Sequence, residues 1–424
     1  MKYPIAKRTV LKNGIRLITV PMPASPTVTV TVLVEAGSRY ETQKFNGLSH
    51  FLEHMCFKGT TKRPSSKMIS SELEGLGAEF NAFTGEEVTG YWAKARNKHF
   101  GEILDVVADL YLNPLLPASE LEKERGVIIE EINMYEDQPQ RRVHEVLDRL
   151  MYGEQPAGQT ILGPKENIKR FTRADFVKYR NTHYTGQKTA VIVAGGFTHG
   201  EMIKAAKEAF TSVVKGAHVK RKRTIERQSA AAFMQKEKST DQTHFVLAFR
   251  SYPLGDKREI AARLLGDVLG KGMSSRLFHK LRDEMGVCYY AKARQESMTD
   301  TGVFKILAGV NTKRLEEVVG EIMKELRDLR DNLVSDKELA KAKEMALGGI
   351  AMGLETSDEV SGWYFDEILR QPLHTPQEII KKIKSVTPAQ IQNVAKDIFV
   401  HKKLNLALIG PKRNLAKLKK AARI

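Results

Sequence analysis

The sequence predicts a chain of two homologous α+β domains, on three grounds. Its 424 residues and 47.7 kDa are long for a single core and fit two domains of about two hundred residues each. Segments that alternate apolar and polar with period two are interleaved with segments whose apolar residues recur at helical spacing. The second half also echoes the first. At an offset of 215, residues 172–195 overlie residues 387–410 without gaps, placing Thr172 on Thr387, Ala174 on Ala389, Lys188 on Lys403 and Gly195 on Gly410. At an offset of 218, Glu120, Leu121, Lys123, Ile132 and Met134 fall on Glu338, Leu339, Lys341, Ile350 and Met352.

Taken in order, the chain opens with strands. Val10-Leu11 and residues 15–20 flank Lys12-Asn13-Gly14, and Asn-Gly between β-prone runs signals a hairpin. Residues 27–32, Thr-Val-Thr-Val-Thr-Val, alternate strictly and predict a strand with one apolar face. Asn46-Gly47 leads into a helix over residues 47–57, and Ser65-Ser66 with Gly75 and Gly77 bracket a second. Residues 78–84 and 88–92 read as strands joined around Gly85-Glu86-Glu87. Helical spacing runs from Lys98 to Leu112 and is stopped by Asn113-Pro114. Ser119, followed three residues later by Glu122, predicts a capping-box start to the next helix, which continues through Ile132. Residues 189–195 predict a buried strand, with a helix following over 201–210. The polar, basic and Ala/Ser-rich residues 213–232 predict a linker, so that residues 1–212 form one domain and residues 233–424 the other.

A hydrophobic content of 42% and a charged content of 28% suit a globular protein, and no run of about 18 apolar residues offers a membrane span. Residues 1–8 lack the apolar core of a signal peptide, and two cysteines, Cys56 and Cys288, make no disulfide framework. The predicted location is therefore the cytoplasm, with no membrane partner. A net charge of +17 and a pI near 9.6 raise the question of nucleic acid. Lys and Arg are mostly interspersed with Asp and Glu, however, and the two basic runs, residues 215–227 and 412–423, carry no interleaved aromatic residues. They read as a solvated linker and an exposed terminal helix, and no nucleic-acid partner is predicted.

The chemistry concentrates in residues 47–60, whose centre is His50-Phe51-Leu52-Glu53-His54. On a helix, His50 and His54 sit one turn apart on one face, where two neutral imidazoles can hold one ion. Glu53 adjoins that face among Phe51, Leu52, Met55 and Phe57, where a carboxylate is costly to bury without a metal or donors around it. The competing reading is a core helix with two hydrogen-bonded histidines. Two imidazoles suit zinc, and a carboxylate beside a water can take its proton as that water attacks a carbonyl carbon, which is metal-assisted hydrolysis. Glu124 and Glu131 are seven apart and share a helical stripe with Val127 and Ile128, whereas Glu130 points about 100° away. Glu131 is the carboxylate this geometry favours as third ligand, with one arm of a surface ion pair as the alternative. The repeat sharpens the choice. At an offset of 217, His50, Glu53 and His54 fall on Asp267, Gly270 and Lys271, and at 218 Glu131 falls on Gly349, so the scaffold is duplicated and the metal chemistry is not.

Together these residues resemble the zinc endopeptidases of the pitrilysin, insulysin and mitochondrial processing peptidase superfamily, which carry the inverted His-x-x-Glu-His motif. The resemblance covers nearly the whole chain, and residues 47–60 look particularly like the processing-peptidase β subunit and its bacterial relatives. It implies that His50, His54 and Glu131 bind one zinc ion per chain, that Glu53 activates water, and that Glu124 supports the site from behind. It further implies that Asn81, Ala82 and Phe83 pair with an extended peptide or unfolded-protein substrate. In the second half, Arg282 and Tyr289 match an Arg and a Tyr that reach toward the scissile bond and can stabilise a developing oxyanion. Tyr290 is one residue out of that spacing. The implied fold is two mainly antiparallel sheets packed against helices, and the implied assembly is a chamber completed by a second chain, a homodimer or a heterodimer with a related chain. Gln155-Pro156-Ala157-Gly158 departs from the His-Pro-Leu-Gly frequent in relatives, away from the metal residues. A binding or assembly subunit without turnover is the main rival, and the intact ligand set argues against it.

Overall fold

The computed structural model describes residues 3–217, 219–369 and 373–424. In the first half the strands are β1 (Lys7–Val10), β2 (Arg16–Pro21), β3 (Thr27–Val34), β4 (Glu79–Thr84), β5 (Thr89–Arg96) and β6 (Thr189–Gly195). The helices there are α1 (Leu48–Cys56), α2 (Ser66–Gly75), α3 (Phe100–Leu112), α4 (Ala118–Glu136), α5 (Pro139–Tyr152), α6 (Lys165–Arg170), α7 (Arg173–His183) and α8 (His199–Ala209). The second half adds β7 (Ala232–Glu237), β8 (Gln242–Ser251), β9 (Cys288–Ser297), β10 (Gly302–Asn311) and β11 (Leu404–Gly410). Its helices are α9 (Glu259–Gly270), α10 (Arg276–Phe278), α11 (Leu315–Asp331), α12 (Asp336–Met352), α13 (Ser357–Leu369), α14 (Pro376–Ser385), α15 (Pro388–Ile398) and α16 (Leu415–Ala421).

The strands form two sheets, ordered β1-β2-β6-β3-β5-β4 and β7-β11-β8-β10-β9. Matching β2 with β7, β6 with β11, β3 with β8, β5 with β10 and β4 with β9 makes the two orders identical apart from the added β1. The pairs β2/β6 and β7/β11 are parallel and every other neighbour is antiparallel, so each sheet is mixed but mainly antiparallel. The repeat read at an offset of 215 is thus a structural one: β6 and β11 begin and end 215 residues apart, and Thr172 and Thr387 each close a capping box at the start of the preceding helix, α7 and α15. One local expectation differs. Helix α4 begins at Ala118, ahead of Ser119, and Glu122 is held by the Arg125 guanidinium at 2.9 Å, so no Ser119–Glu122 box forms.

Strand β3 shows how the first sheet is covered. Val28, Val30, Val32 and Val34 enter a core with Phe51, Leu52 and Met55 of α1, Ile103, Val106 and Val107 of α3, and Ile128 of α4. The alternate threonines do not face water. The hydroxyls of Thr27 and Thr29 each lie 2.9 Å from Ser357 Oγ, and that of Thr31 lies 2.9 Å from Ser361 Oγ, so Thr29 and Thr31 are buried under α13 with their hydrogen bonds made. Lys94 of β5 adds an ion pair with Asp358 at 2.8 Å.

The compact units accordingly do not follow the chain. The first consists of Met1–Asn133, Gln159–Lys222 and Ala351–Pro376, the second of Met134–Gly158, Arg223–Ile350 and Gln377–Ile424. Helix α13 of the second half belongs with the first sheet. Helix α5 of the first half packs Val143, Val146, Leu147 and Met151 against Val246, Ala248, Val303, Leu307, Ala407 and Ile409 of the second. Each half of the chain therefore supplies one covering helix to the other half's sheet. Expressed alone, residues 1–222 and residues 223–424 are expected to give no cooperative thermal transition, because each leaves a sheet face bare. Co-expressed, they are expected to purify together as a folded pair. Independent cooperative melting of the separate halves would show that the exchanged helices are dispensable.

Candidate metal centre

Helix α1 is about two and a half turns long and carries both imidazoles. Leu48, Phe51, Leu52, Met55 and Cys56 are buried and fix its tilt against the sheet, with Phe51 edge-on to Phe176 at 4.9 Å. His50 and His54 then project on one side with ring centroids 4.6 Å apart. Helix α4 buries Leu121, Glu124, Ile128 and Ile132. Val127, expected on that stripe, is 51% exposed, because the buried line steps from Glu124 to Ile128 and passes beside it. Glu131 stands at the margin of the buried line, with 24% of its side chain exposed, and its carboxylate lies close to both histidines.

Nε2 of His50 and Nε2 of His54 lie 3.6 and 3.7 Å from the same oxygen, Oε2 of Glu131, and the three donor atoms fall within 4.8 Å of one another. Tetrahedral zinc with bonds near 2.0–2.1 Å places its donors about 3.4 Å apart, so these residues fit the ion with little movement. The far nitrogen of His54 is also engaged. His54 Nδ1 donates to Glu124 Oε1 at 2.8 Å, and Lys58 Nζ lies 2.5 Å from Glu124 Oε2. The Lys58 ammonium favours the ionised form of Glu124, and an ionised carboxylate only accepts, so Nδ1 of His54 carries the proton and Nε2 is left with its lone pair toward Glu131.

The electrostatics suit a cation. Burial holds His50 neutral, its pKa pushed down to about 3, with His54 adding to the effect. Burial works the same way on His54, but the hydrogen bond from Glu124 and the charges of Glu53, Glu124 and Glu131 outweigh it and raise its pKa. Glu124 is likewise penalised by burial, yet its bonds to His54 and Lys58 hold it below the usual carboxylate range. Burial raises Glu53, and the Thr84 hydroxyl, which donates to Glu53 Oε2 at 2.6 Å, partly offsets this. Thr84 is the last residue of β4, the edge strand of the first sheet. On that strand the Ala82 N–H is bonded to its neighbour's side chain, Asn81 Oδ1, at 2.8 Å and not to β5, so it faces the open edge.

The first unit thus brings together His50, His54, Glu131, Glu124 and Glu53, with the strand of Asn81, Ala82 and Phe83 joined to Glu53 through Thr84. Lys58 and Thr84 are additions that sequence pattern did not reveal. Arg282 and Tyr289 lie in the second unit, where they meet each other: Arg282 Nη1 donates to the Tyr289 carbonyl at 2.7 Å. Arg282 sits in a π-helical turn, His279–Glu284, and Tyr289, 74% exposed, at a register shift between β9 and β10. Tyr290 is committed elsewhere, its hydroxyl 2.9 Å from His244 Nδ1. Helix α9 contains no histidine and ends at Gly270, so the offset of 217 that set His54 on Lys271 runs past its end.

Fold and donor set together define a class: two homologous α+β units, one of which carries two histidines and a glutamate that could hold a metal ion. Residues 16–165 match the family described as Insulinase (Peptidase family M16), and residues 170–346 match the Peptidase M16 inactive domain. The uncharacterized zinc protease YmxG of Bacillus subtilis (strain 168) is 33% identical over 412 residues, which cover 96% of this chain and 99% of that protein. An uncharacterized zinc protease of Rickettsia felis is 31% identical over 408 residues, covering 95% and 96%. In fold, the chain is similar to a protease from Helicobacter pylori, with a TM-score of 0.91 at 23% identity over 97% of this chain and 100% of that one. The chain belongs to peptidase family M16. Among the described residues no helix is long and apolar enough to cross a membrane.

Replacing Glu124 by Gln, or Lys58 by Met, is expected to weaken zinc binding by about 10–100-fold, since either change loosens the proton that Glu124 holds on His54. Competition against a chelator of known affinity measures it. Unchanged affinity in both variants would remove Glu124 and Lys58 from the site.

Proposed function

We propose that this chain is a zinc-dependent metalloendopeptidase that hydrolyses peptides or unfolded polypeptide segments, with Glu53 as general base. The observation that carries the reading is the meeting of His50, His54 and Glu131 at one point, with Glu53 on the same helix and tied to an edge strand. His50, His54 and Glu131 would hold the ion. When bound, zinc supplies Lewis acidity to the scissile carbonyl and to the attacking water. Glu53 takes the water's proton and delivers it to the leaving amine nitrogen, and its raised pKa suits a group that must both accept and release a proton. Thr84 holds the carboxylate in place. The β4 edge offers main-chain groups to an extended substrate, which orients the scissile bond by backbone pairing and leaves side-chain choice to neighbouring surfaces. Arg282 and Tyr289 are the donors assigned to the developing oxyanion. The reading extends to a cytoplasmic enzyme whose enclosing chamber is completed by a second copy of the chain.

Glu53→Gln is expected to keep about one zinc per chain while losing about 10²–10⁴-fold in cleavage of a quenched mixed-peptide library. Wild-type turnover in a zinc-loaded Glu53→Gln protein would show that Glu53 is not the base. Zinc in both proteins with cleavage in neither would favour an assembly subunit. Ala82→Pro removes an N–H from the open edge and leaves the β4–β5 ladder intact. It is expected to lower kcat/KM about two- to tenfold, the worth of one main-chain hydrogen bond, at unchanged zinc content. Kinetics equal to wild type would rule the edge out as the substrate's partner.

A further inference from the structure

Helix α1 starts without a side-chain cap. Its N-cap is Gly47, at φ +99°, which has no side chain to bond the N–H groups of the first turn. Space is short as well, since a Cβ at Gly47 would lie 2.4 Å from the Leu162 carbonyl oxygen. Glu41, six residues earlier and 2% exposed, supplies the missing acceptor. Its Oε1 accepts from the Ser49 N–H at 2.6 Å, and its Oε2 accepts from the Gly47 N–H at 2.9 Å and the Asn46 side-chain amide at 3.0 Å. Each of these three partners is a donor, and a carboxylate accepts at both oxygens.

The surroundings hold this carboxylate still. The Asn167 side chain donates to the carbonyls of Gln43 and Asn46 at 2.8 and 3.0 Å, and the Asn46 amide donates to the Thr160 carbonyl at 2.7 Å. Ser49 Oγ and Tyr179 Oη lie 2.6 Å apart. The shortest of the contacts to Glu41 is to the backbone of Ser49, the residue immediately before His50, so no flexible side chain intervenes between that bond and the first imidazole. A metal site tolerates deviations of only about 0.2 Å in its bonds. A slip of one residue along a helix turns a side chain by about 100° and moves it about 1.5 Å.

We propose that Glu41 is a positioning residue of the metal centre: its buried carboxylate sets the start and rotation of α1, and thereby the direction in which His50 and His54 present Nε2 to Glu131. The proposal rests on the metal site described above. Glu41→Gln tests it, because it keeps the volume and places an NH2 group against at least one N–H donor. The measurements are cobalt and zinc affinity by chelator competition, the visible spectrum of the cobalt-loaded protein, and the melting of the metal-free protein. The variant is expected to bind both ions at least about tenfold more weakly and to show altered cobalt bands. Asn46→Ala removes one donor and leaves both backbone bonds. It is expected to fall between the two, and it carries the test if Glu41→Gln does not fold. Wild-type affinity and an unchanged cobalt spectrum, with only a lower melting temperature, would reduce Glu41 to a cap and overturn the proposal. A wild-type chain that takes up neither ion would overturn the metal centre itself, and the positioning role with it.

Discussion

The site depends on the rotation of one short helix about its own axis. Both imidazoles and the proposed base are on α1, and the third donor comes from α4, so the four groups converge only if α1 has one rotational setting. Apolar packing of Phe51, Leu52 and Met55 fixes which side faces the sheet, but greasy contacts are non-directional and leave a helix of this length some freedom to turn. Directional bonds at its two ends remove it. Glu41 acts at the start, and the chain from His54 through Glu124 to Lys58 acts near the end. Lys58 is itself just beyond α1, so the helix is tied to α4 by its own continuation.

The second unit shows what the same scaffold becomes without that requirement. There the equivalent sheet runs in the same order, yet α9 lies directly on β9 through glycines. A Cβ at Gly270 would lie 2.1 Å from the Ala293 nitrogen, and one at Gly266 would lie 3.1 Å from the Arg294 Cα. In the first unit the corresponding space between α1 and β4 holds the Glu53 carboxylate and the Thr84 hydroxyl. Position 270, which the offset of 217 sets against Glu53, therefore has no room for a carboxylate in the second unit.

Much of this was legible in the sequence, for reasons that differ by residue. The strict alternation of residues 27–32 gave β3 and its apolar face, and the one-turn spacing of His50 and His54 gave two imidazoles on one side of α1, because both rest on local periodicity. Glu131 was reachable only through its seven-residue relation to Glu124 and its absence from the repeat. The stripe of Glu124, Val127, Ile128 and Glu131 differs from the buried line at one residue, since Val127 faces solvent and the buried line runs through Ile128. Glu41, Lys58 and Thr84 left no local signal, as each acts through a hydrogen bond that only the tertiary fold creates. The cover of the threonine face of β3 left no local signal either. Alternating threonines suggest a wet surface, and their cover, Ser357 and Ser361, lies about 330 residues away in sequence, a separation at which no period can be read.

The unit that lacks ligands nevertheless keeps two departures from regular backbone next to each other. Arg282 lies in a π-helical turn and Tyr289 at a bulge of an edge strand, each a conformation less favourable than the regular one it interrupts. The hydrogen bond from Arg282 to the Tyr289 carbonyl couples them, and the result is an aromatic ring held out in solvent. Core packing does not explain this arrangement, since Tyr289 buries little. Its neighbour Tyr290, which does pack, follows the ladder. The departure in β9 is therefore confined to one residue, and the ladder resumes at the next.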